Sequence, residues 1–339
     1  MRELVRESLA GEEAWVVGGA IRDELLGRPV LDFDVACHEP ETAARAFARR
    51  LRAAVFPLSL QHGGWRVALD GDRTVDFTPL QGGSIEADLA MRDFTINAIA
   101  VPLAGGEPID PHGGRADIER RTLRAVSEDV FDDDPLRLLR AVRLEDELSF
   151  RLDPGTEELV RRKAALVDRP AGERVLDELS RLSAAGYERL AELGLLEPLG
   201  GTLDPRLRAF DSPWFRLAVT FGGNLRRLPI SNELRRFTAT LLRASAPPDG
   251  SPRSIHRFRR QTEPWALEAL SYVGADEHAA AVRAAREREP EEPLLRGDEL
   301  GVAPGPQVGR LLELIAEERA AGTISTREEA LELVRRSLE

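Results

Sequence analysis

The chain has 339 residues, 42% of them apolar and 31% charged, which suits two or three globular domains and excludes a disordered or fibrous protein. Its 47 basic and 59 acidic residues leave a net charge of −12, which argues against a broad basic nucleic-acid surface. The single Cys37 excludes an intrachain disulfide and a cysteine zinc site, and His38, His62, His112, His256 and His278 show no metal-ligand spacing. No apolar run approaches the roughly 18 residues of a membrane span, and Met1–Glu7 lacks the apolar stretch of a secretory signal. The expectation is a cytoplasmic chain with no membrane partner.

Residues 1–125 mix strand-like runs with short helices. Trp15-Val16-Val17 is β-prone and ends in Gly18-Gly19. Ala20 to Leu26 reads as a helix, stopped by Gly27 with Pro29 behind it. Leu31 to Ala36 reads as a strand and Glu39 to Ala54 as an Ala/Arg-rich helix. Trp65 to Leu69 and Thr74 to Thr78 read as a hairpin turning at Asp70-Gly71-Asp72. Phe94 to Val101 is apolar and compact, and Asp110-Pro111-His112-Gly113-Gly114 is a turn cluster.

Beyond about Ser127, helical periodicity takes over: Pro135 to Leu148, Gly155 to Leu166, Gly172 to Ala184, Gly186 to Leu193. Ser245 to Pro252 and Glu289 to Pro293 interrupt the helices. Gln307 to Leu338 reads as two helices split by Gly322-Thr323-Ile324-Ser325. There is no internal repeat. The layout is an α/β head followed by an all-helical remainder.

Three segments could carry chemistry. In the first, a strand ends in Gly18-Gly19 and opens a helix, so free backbone N–H groups could hold a phosphate, with Arg22 one turn in. The same pattern equally reads as a tight turn, and it is neither a Rossmann fingerprint nor a P-loop. Asp32 and Asp34 then fall on one face of a strand, roughly 6–7 Å apart along the backbone. Two like charges so placed suit a bridging cation, and oxygen ligands suit Mg²⁺, with two ions able to serve a phosphoryl transfer. Asp76, on a later strand, is a candidate third carboxylate or an edge aspartate.

The second segment is Arg92-Asp93-Phe94-Thr95-Ile96-Asn97. It reads either as a buried structural ion pair or as groups that meet a ribose and phosphates. The third is Asp133-Asp134-Pro135-Leu136-Arg137 with Arg140 and Arg143 following at intervals of three. Asp134 is a candidate N-cap with Pro135 at N1, and the arginines form a skewed stripe. Solvated arginines on a capped helix are one reading. The other is that Asp134, which only accepts, and Arg137, which only donates, read the edge of cytosine.

Taken together and in this order, the segments resemble class II tRNA nucleotidyltransferases, the family of CCA-adding enzymes and bacterial poly(A) polymerases. The resemblance rests on Gly18–Gly27, Leu31–Ala36, Asp88–Ala98, the Asp110–Gly114 turn with Asp117, Asp133–Arg143, and Glu173-Arg174 with Glu178-Leu179. Pro293–Leu300 and Pro304 to Gly309 look like the family's tail. It is dense over residues 14–180, thin over 185–290, and returns at 293–336.

The resemblance implies a polymerase-β-like nucleotidyltransferase head at 1–125, a neck with the base-selecting motif at 126–185, a helical body at 186–290, and a tRNA-binding tail at 291–339. It implies that Asp32 and Asp34 hold two Mg²⁺ ions, and that Gly18, Gly19 and Arg22 meet the triphosphate. It gives Arg92 and Asp93 to the ribose region, Asp134 and Arg137 to the base, and Arg140 and Arg143 to the nucleotide phosphates. The implied partners are tRNA, CTP and ATP. The implied activity is template-independent addition of CCA to tRNA 3′ ends with release of pyrophosphate.

Three departures stand out. Met91 occupies the place of a usual arginine, and Asp133 that of a usual glutamate. Only 15 residues, Phe77 to Met91, separate Asp76 from Arg92, where CCA-adding members carry a longer flexible loop. That shortness points to CC-only addition, with a second nucleotidyltransferase completing the end. A-adding or poly(A) activity are the alternatives within the class. A non-catalytic RNA-binding protein on a polymerase-like head is the alternative outside it. Arg253, Arg257, Arg259 and Arg260, interleaved with His256 and Phe258, are the expected local RNA-binding cluster.

Overall fold

The apolar alternation of the first hundred residues is resolved as one mixed sheet with helices packed on it. In the computed structural model the described residues are 1–9, 11–59, 63–70, 73–290 and 292–339. Two compact units form, Met1–Gly200 and Gly201–Glu339.

The first unit opens with α1 (Arg2–Ser8), β1 (Ala14–Val17), α2 (Gly19–Leu25), β2 (Asp32–Cys37), α3 (Pro40–Leu51), β3 (Ala54–Ser59), β4 (Gly64–Ala68) and β5 (Thr74–Pro79). It continues with α4 (Ile85–Ala90), β6 (Ala100–Pro102), α5 (Gly114–Glu119) and β7 (Thr122–Leu123). The helical part follows: α6 (Val130–Asp133), α7 (Arg137–Leu148), α8 (Pro154–Lys163), α9 (Gly172–Ser180) and α10 (Ala184–Glu192), with β8 (Arg151–Leu152) after α7.

The large sheet has the order β3-β4-β5-β2-β1-β6. Only the β2–β5 pairing is parallel; β1 pairs antiparallel with β2 and β6, and β4 with β3 and β5. Strand periodicity puts Phe33, Val35 and Cys37 on one face of β2 and Asp32, Asp34 and Ala36 on the other. The first face is sealed by α3, whose buried Phe47 meets Phe77 with ring centroids 5.7 Å apart. The second is covered at its Ala36 end by α4, through Ile85 and Leu89 packed with Val17 and Ala98. Its Asp34 end is left to polar groups.

Two expectations need correction. The helix expected from Glu39 to Ala54 stops at Leu51, because Arg52 turns left-handed at φ 54° and the chain enters β3. The sequence reading missed β3. Pro57 interrupts its pattern, and β3 tolerates the proline because it is an edge strand. The expected hairpin of β4 and β5 forms, although Gly71 and Asp72 of its turn lie outside the described residues.

The second unit contains α11 (Pro213–Phe221), α12 (Asn232–Arg243), α13 (Pro252–Thr262), α14 (Ala266–Val273), α15 (Ala279–Glu287), α16 (Pro306–Ala320) and α17 (Arg327–Leu338). Phe237 of α12 meets Trp214 and Trp265 edge-on at 5.7 and 5.6 Å. The expected two terminal helices pack through Leu311, Ile315, Ala330 and Val334. Among the described residues no helix is long and apolar enough to cross a membrane.

Candidate active site

Register brings the aspartates together. Asp34 on β2 lies opposite Asp76 on β5 and Val17 on β1, while Asp32 lies opposite Thr74. Asp76 also faces Arg66 of β4. Arg66 donates Nε and Nη2 to the two oxygens of Asp76, each at 2.7 Å. Asp32 Oδ1 accepts from Thr74 Oγ1 at 2.8 Å. Among the described residues no donor hydrogen-bonds to the carboxylate of Asp34. Burial pushes its pKa up to about 6; Arg92 pulls it down, while Asp76 and Asp32 push it further up.

Gly18 stands directly over this carboxylate. Its φ is +71°, in the region that disfavours side chains, and a Cβ there would sit 2.9 Å from Arg92 Nη1 and 3.2 Å from Asp34 Oδ2. Arg92 is held from behind: its Nε and Nη2 both donate to Asp88 Oδ2, at 3.0 and 2.8 Å, which leaves Nη1 toward Gly18 and Asp34. Arg22, one turn into α2, is buried. It donates Nη1 to Asn97 Oδ1 at 2.8 Å and Nε and Nη2 to Asp23 at 2.9 and 2.8 Å.

Asp93 is buried and fully engaged. Its Oδ1 accepts from the Phe94 N–H and from Asn97 Nδ2, and its Oδ2 from Arg140 Nε and Nη2 at 2.9 and 2.6 Å. Burial alone would raise its pKa, but the Arg140 charge and these donors bring it down to about 2. Arg140 Nη1 also lies 3.6 Å from Glu178 of α9. Glu178 in turn accepts from Arg143 at 2.6 Å, and Arg143 donates to Glu147 at 2.7 Å. Glu147 accepts from Arg28, which lies 3.9 Å from Asp23. A closed ring of polar groups therefore links the start of α2 to α7 and α9. Arg140 and Arg143, expected at nucleotide phosphates, are engaged by carboxylates within it.

The expected base-reading pair is arranged differently from its spacing. Asp134 accepts from Arg174 of α9 at 3.3 and 2.7 Å. It also accepts from the Leu136 N–H at 3.2 Å, the expected capping contact. The first turn, however, is closed by i→i+3 bonds, Arg137 N–H to the Asp134 carbonyl at 3.0 Å and Leu138 N–H to the Pro135 carbonyl at 3.1 Å, so α7 begins at Arg137 rather than Pro135. Arg137 donates Nη2 to the Met91 carbonyl at 2.7 Å and Nη1 to the Val130 carbonyl at 3.3 Å. Neither residue's side chain bonds to the other's. Asn97 is expected with Arg92 and Asp93 near a ribose; Arg174, Asp88 and Glu178 are the site residues that sequence reasoning left without a role. All three lie in segments that carry the family resemblance, and the 3.6-residue periodicity of α9 sets Arg174 and Glu178 four apart on one face.

The short Phe77–Met91 connection is a folded one. A 3-10 turn, Gln81–Gly83, leads into α4, capped by Ser84 Oγ accepting from the Ala87 N–H at 3.2 Å. Asp88 also accepts from the Gln81 N–H at 3.2 Å.

The expected RNA cluster on α13 is already matched by carboxylates. Arg253 pairs with Glu318, Arg257 with Glu317, Arg260 with Glu313, and Arg259 with Glu263 and Glu289.

Residues 14–124 match the model of the poly A polymerase head domain. An A-adding tRNA nucleotidyltransferase of Deinococcus radiodurans is 34% identical, over 95% of each chain. This chain belongs to the tRNA nucleotidyltransferase family. A CC-adding tRNA nucleotidyltransferase of Geobacter sulfurreducens is 46% identical over 51% of this chain, a match that spans 40% of that relative's length. The fold is shared with a Thermotoga maritima CCA-adding enzyme solved with tRNA. That structure has a TM-score of 0.77 at 23% identity and covers 100% of this chain and 95% of that one.

The family's nucleotidyltransferases are metal-dependent, and the residues present fit a hard cation. Asp34 is a half-buried carboxylate without a hydrogen-bond donor among the described residues, next to two more aspartates. Among the described residues no three His, Cys, Asp or Glu side chains form a metal site by themselves. Two carboxylates completed by water and substrate phosphates are a common Mg²⁺ arrangement.

Proposed function

We propose that the chain is a template-independent RNA nucleotidyltransferase that adds two cytidines from CTP to the 3′ end of tRNA in the cytoplasm. The observation that carries this is the Asp34 carboxylate, half-buried and without a hydrogen-bond donor among the described residues, beneath Gly18 and beside Asp32, with Nη1 of Arg92 turned toward Gly18. Asp32 and Asp34 would hold Mg²⁺, two ions in number, which when bound acidify the attacking hydroxyl and neutralise the leaving pyrophosphate.

The tRNA 3′-hydroxyl oxygen loses its proton to solvent and bonds to the α-phosphorus, while the bond from that phosphorus to the oxygen shared with the β-phosphate breaks and pyrophosphate leaves. Gly18 and Gly19 let the triphosphate approach the backbone, and Arg22 and Arg92 supply fixed positive charge along it. Asp93 acts by positioning Arg140 and Asn97 around the ribose side. Arg143 acts through Glu178, because a phosphate would have to displace two carboxylates to reach it. Asp134 accepts from the cytosine amino group, and Arg137 donates to its ring nitrogen and carbonyl.

The CC product is supported by the folded connection from Phe77 to Met91, which leaves little slack for re-orienting the base-reading groups toward adenine. The CC-adding Geobacter relative agrees with it. A second nucleotidyltransferase would then complete the end. Adenosine addition is the second reading, favoured by the A-adding relative that aligns along the whole chain.

The test is incubation with tRNA ending at the discriminator base, and with tRNA ending in CC, giving Mg²⁺ and each nucleotide singly and then CTP with ATP. Sequenced ends stopping at CC support the proposal. Uniform CCA ends overturn the short-loop argument. ATP incorporation confined to CC-ended tRNA assigns A addition, and ATP incorporation on tRNA without CC assigns poly(A) synthesis.

A further inference from the structure

The second unit carries an arginine surface that the charge pattern sets apart. From Gly222 to Arg243 there are five arginines, Arg226, Arg227, Arg235, Arg236 and Arg243, against one acidic residue, Glu233. All five are exposed. Many arginines elsewhere in this acidic chain are matched with carboxylates, as Arg253, Arg257 and Arg260 of α13 are against α16. The exceptions among the described residues, such as Arg49, Arg52, Arg120 and Arg121, lie in the first unit or, like Arg288 and Arg310, apart from this cluster. Here, among the described residues, none of the five is ion-paired. Arg235 donates only to Asn232 Oδ1 at 3.1 Å and Arg243 only to the Ala239 carbonyl at 3.0 Å, so their charge stays uncompensated.

The placement is built by the fold. Arg226 and Arg227 end a 3-10 turn, Gly222–Arg227, that packs beside α12: a Cβ at Gly222 would lie 4.0 Å from Leu242 Cδ2. On α12, Leu234, Phe237, Thr238 and Leu241 make the buried side. At about 100° per residue, Arg236 and Arg243 share the opposite side, with Arg235 at its margin.

We propose that this surface, rather than α13, grips the phosphate backbone of the RNA substrate. The proposal rests on the tRNA reading above. An uncompensated row of guanidiniums gains bidentate phosphate contacts and releases counterions. The α13 arginines would first have to give up their glutamates. The surface also reconciles a net charge of −12 with an RNA partner, since a local cationic stripe is sufficient.

The test uses the full chain and tRNA ending at the discriminator base. One variant carries Arg226→Gln, Arg227→Gln, Arg236→Gln and Arg243→Gln; the comparison variant carries Arg253→Gln, Arg257→Gln and Arg260→Gln. Dissociation constants are measured across a salt series, alongside KM for CTP and turnover at saturating tRNA. The first variant should bind tRNA at least about tenfold more weakly, with a salt slope reduced by about one per arginine that meets a phosphate. Its KM for CTP and saturated turnover should be unchanged, and the α13 variant should keep tRNA affinity within about twofold. Wild-type tRNA affinity and salt slope in the first variant would overturn the proposal and leave the surface to an acidic protein partner. A wild-type chain that binds tRNA through these arginines but never extends it would sink the catalytic reading alone.

Discussion

Asp134 is held by Arg174, forty residues away, and not by Arg137, three residues away. The carboxylate that would accept from a base is thus oriented by a second helix, while Arg137 is tied to the Met91 and Val130 carbonyls. Removing either arginine should blur base choice more than triphosphate binding. We expect Arg137→Ala and Arg174→Ala each to lower the CTP-over-UTP preference by about ten- to a hundredfold. Competition assays with both nucleotides measure it, and an unchanged preference in both variants would refute edge reading by this pair.

Asp32→Ala and Asp34→Ala should each cost about a thousandfold or more in nucleotide addition, since both carboxylates belong to the proposed cation site. Binding of tRNA should stay within about twofold. Single-turnover extension and filter binding separate the two effects. Near-normal extension by either variant would remove the metal assignment.

Gly18→Ala tests the close approach of Arg92 and Asp34 to the Gly18 backbone. The added methyl would have to occupy a position 2.9 Å from the guanidinium at a φ of +71°. Backbone strain of about 1–3 kcal/mol is expected, because φ +71° with ψ −141° is a conformation that residues other than glycine rarely adopt. Extension should fall by about a hundredfold, because the guanidinium must shift from its place beside Asp34. A normal rate with normal KM for CTP would show that this contact does not position the site.

Asp93 carries a pH signature. Its folded pKa, about 2, lies below the ordinary aspartate value of 3.8. A depressed carboxylate stabilises the fold above its unfolded pKa and loses that contribution as pH falls through the folded one. The contribution is about 2 kcal/mol at neutral pH, vanishing between about pH 4 and pH 2. Asp93→Asn removes the carboxylate that accepts from Arg140 and leaves that guanidinium with Glu178 alone, 3.6 Å away, so it should destabilise the protein by about 2 kcal/mol at pH 7. The difference between wild type and variant in urea unfolding should narrow as pH drops below 4. A difference independent of pH over that range would exclude the Asp93–Arg140 pair as its source.

Much of this protein is determined locally. The Gly18-Gly19 turn, the aspartates two apart on one strand face, and the amphipathic helices follow from periodicities of 2 and 3.6 and from the glycine's freedom at positive φ. The register that sets Asp34 against Asp76 could not be read, because pairing between strands forty residues apart depends on the whole sheet. Nor could β3, whose proline is acceptable only once the strand is known to lie at an edge. The partners of charged groups were the least legible of all. Spacing placed Asp134 near Arg137 and four arginines together on α13, but ion pairs form between whichever charges packing brings within reach. Only the tertiary structure decided that Asp134 meets Arg174, that Arg143 is buried between two glutamates, that three of the four α13 arginines are matched by α16, and that the arginines of α12 are left uncompensated.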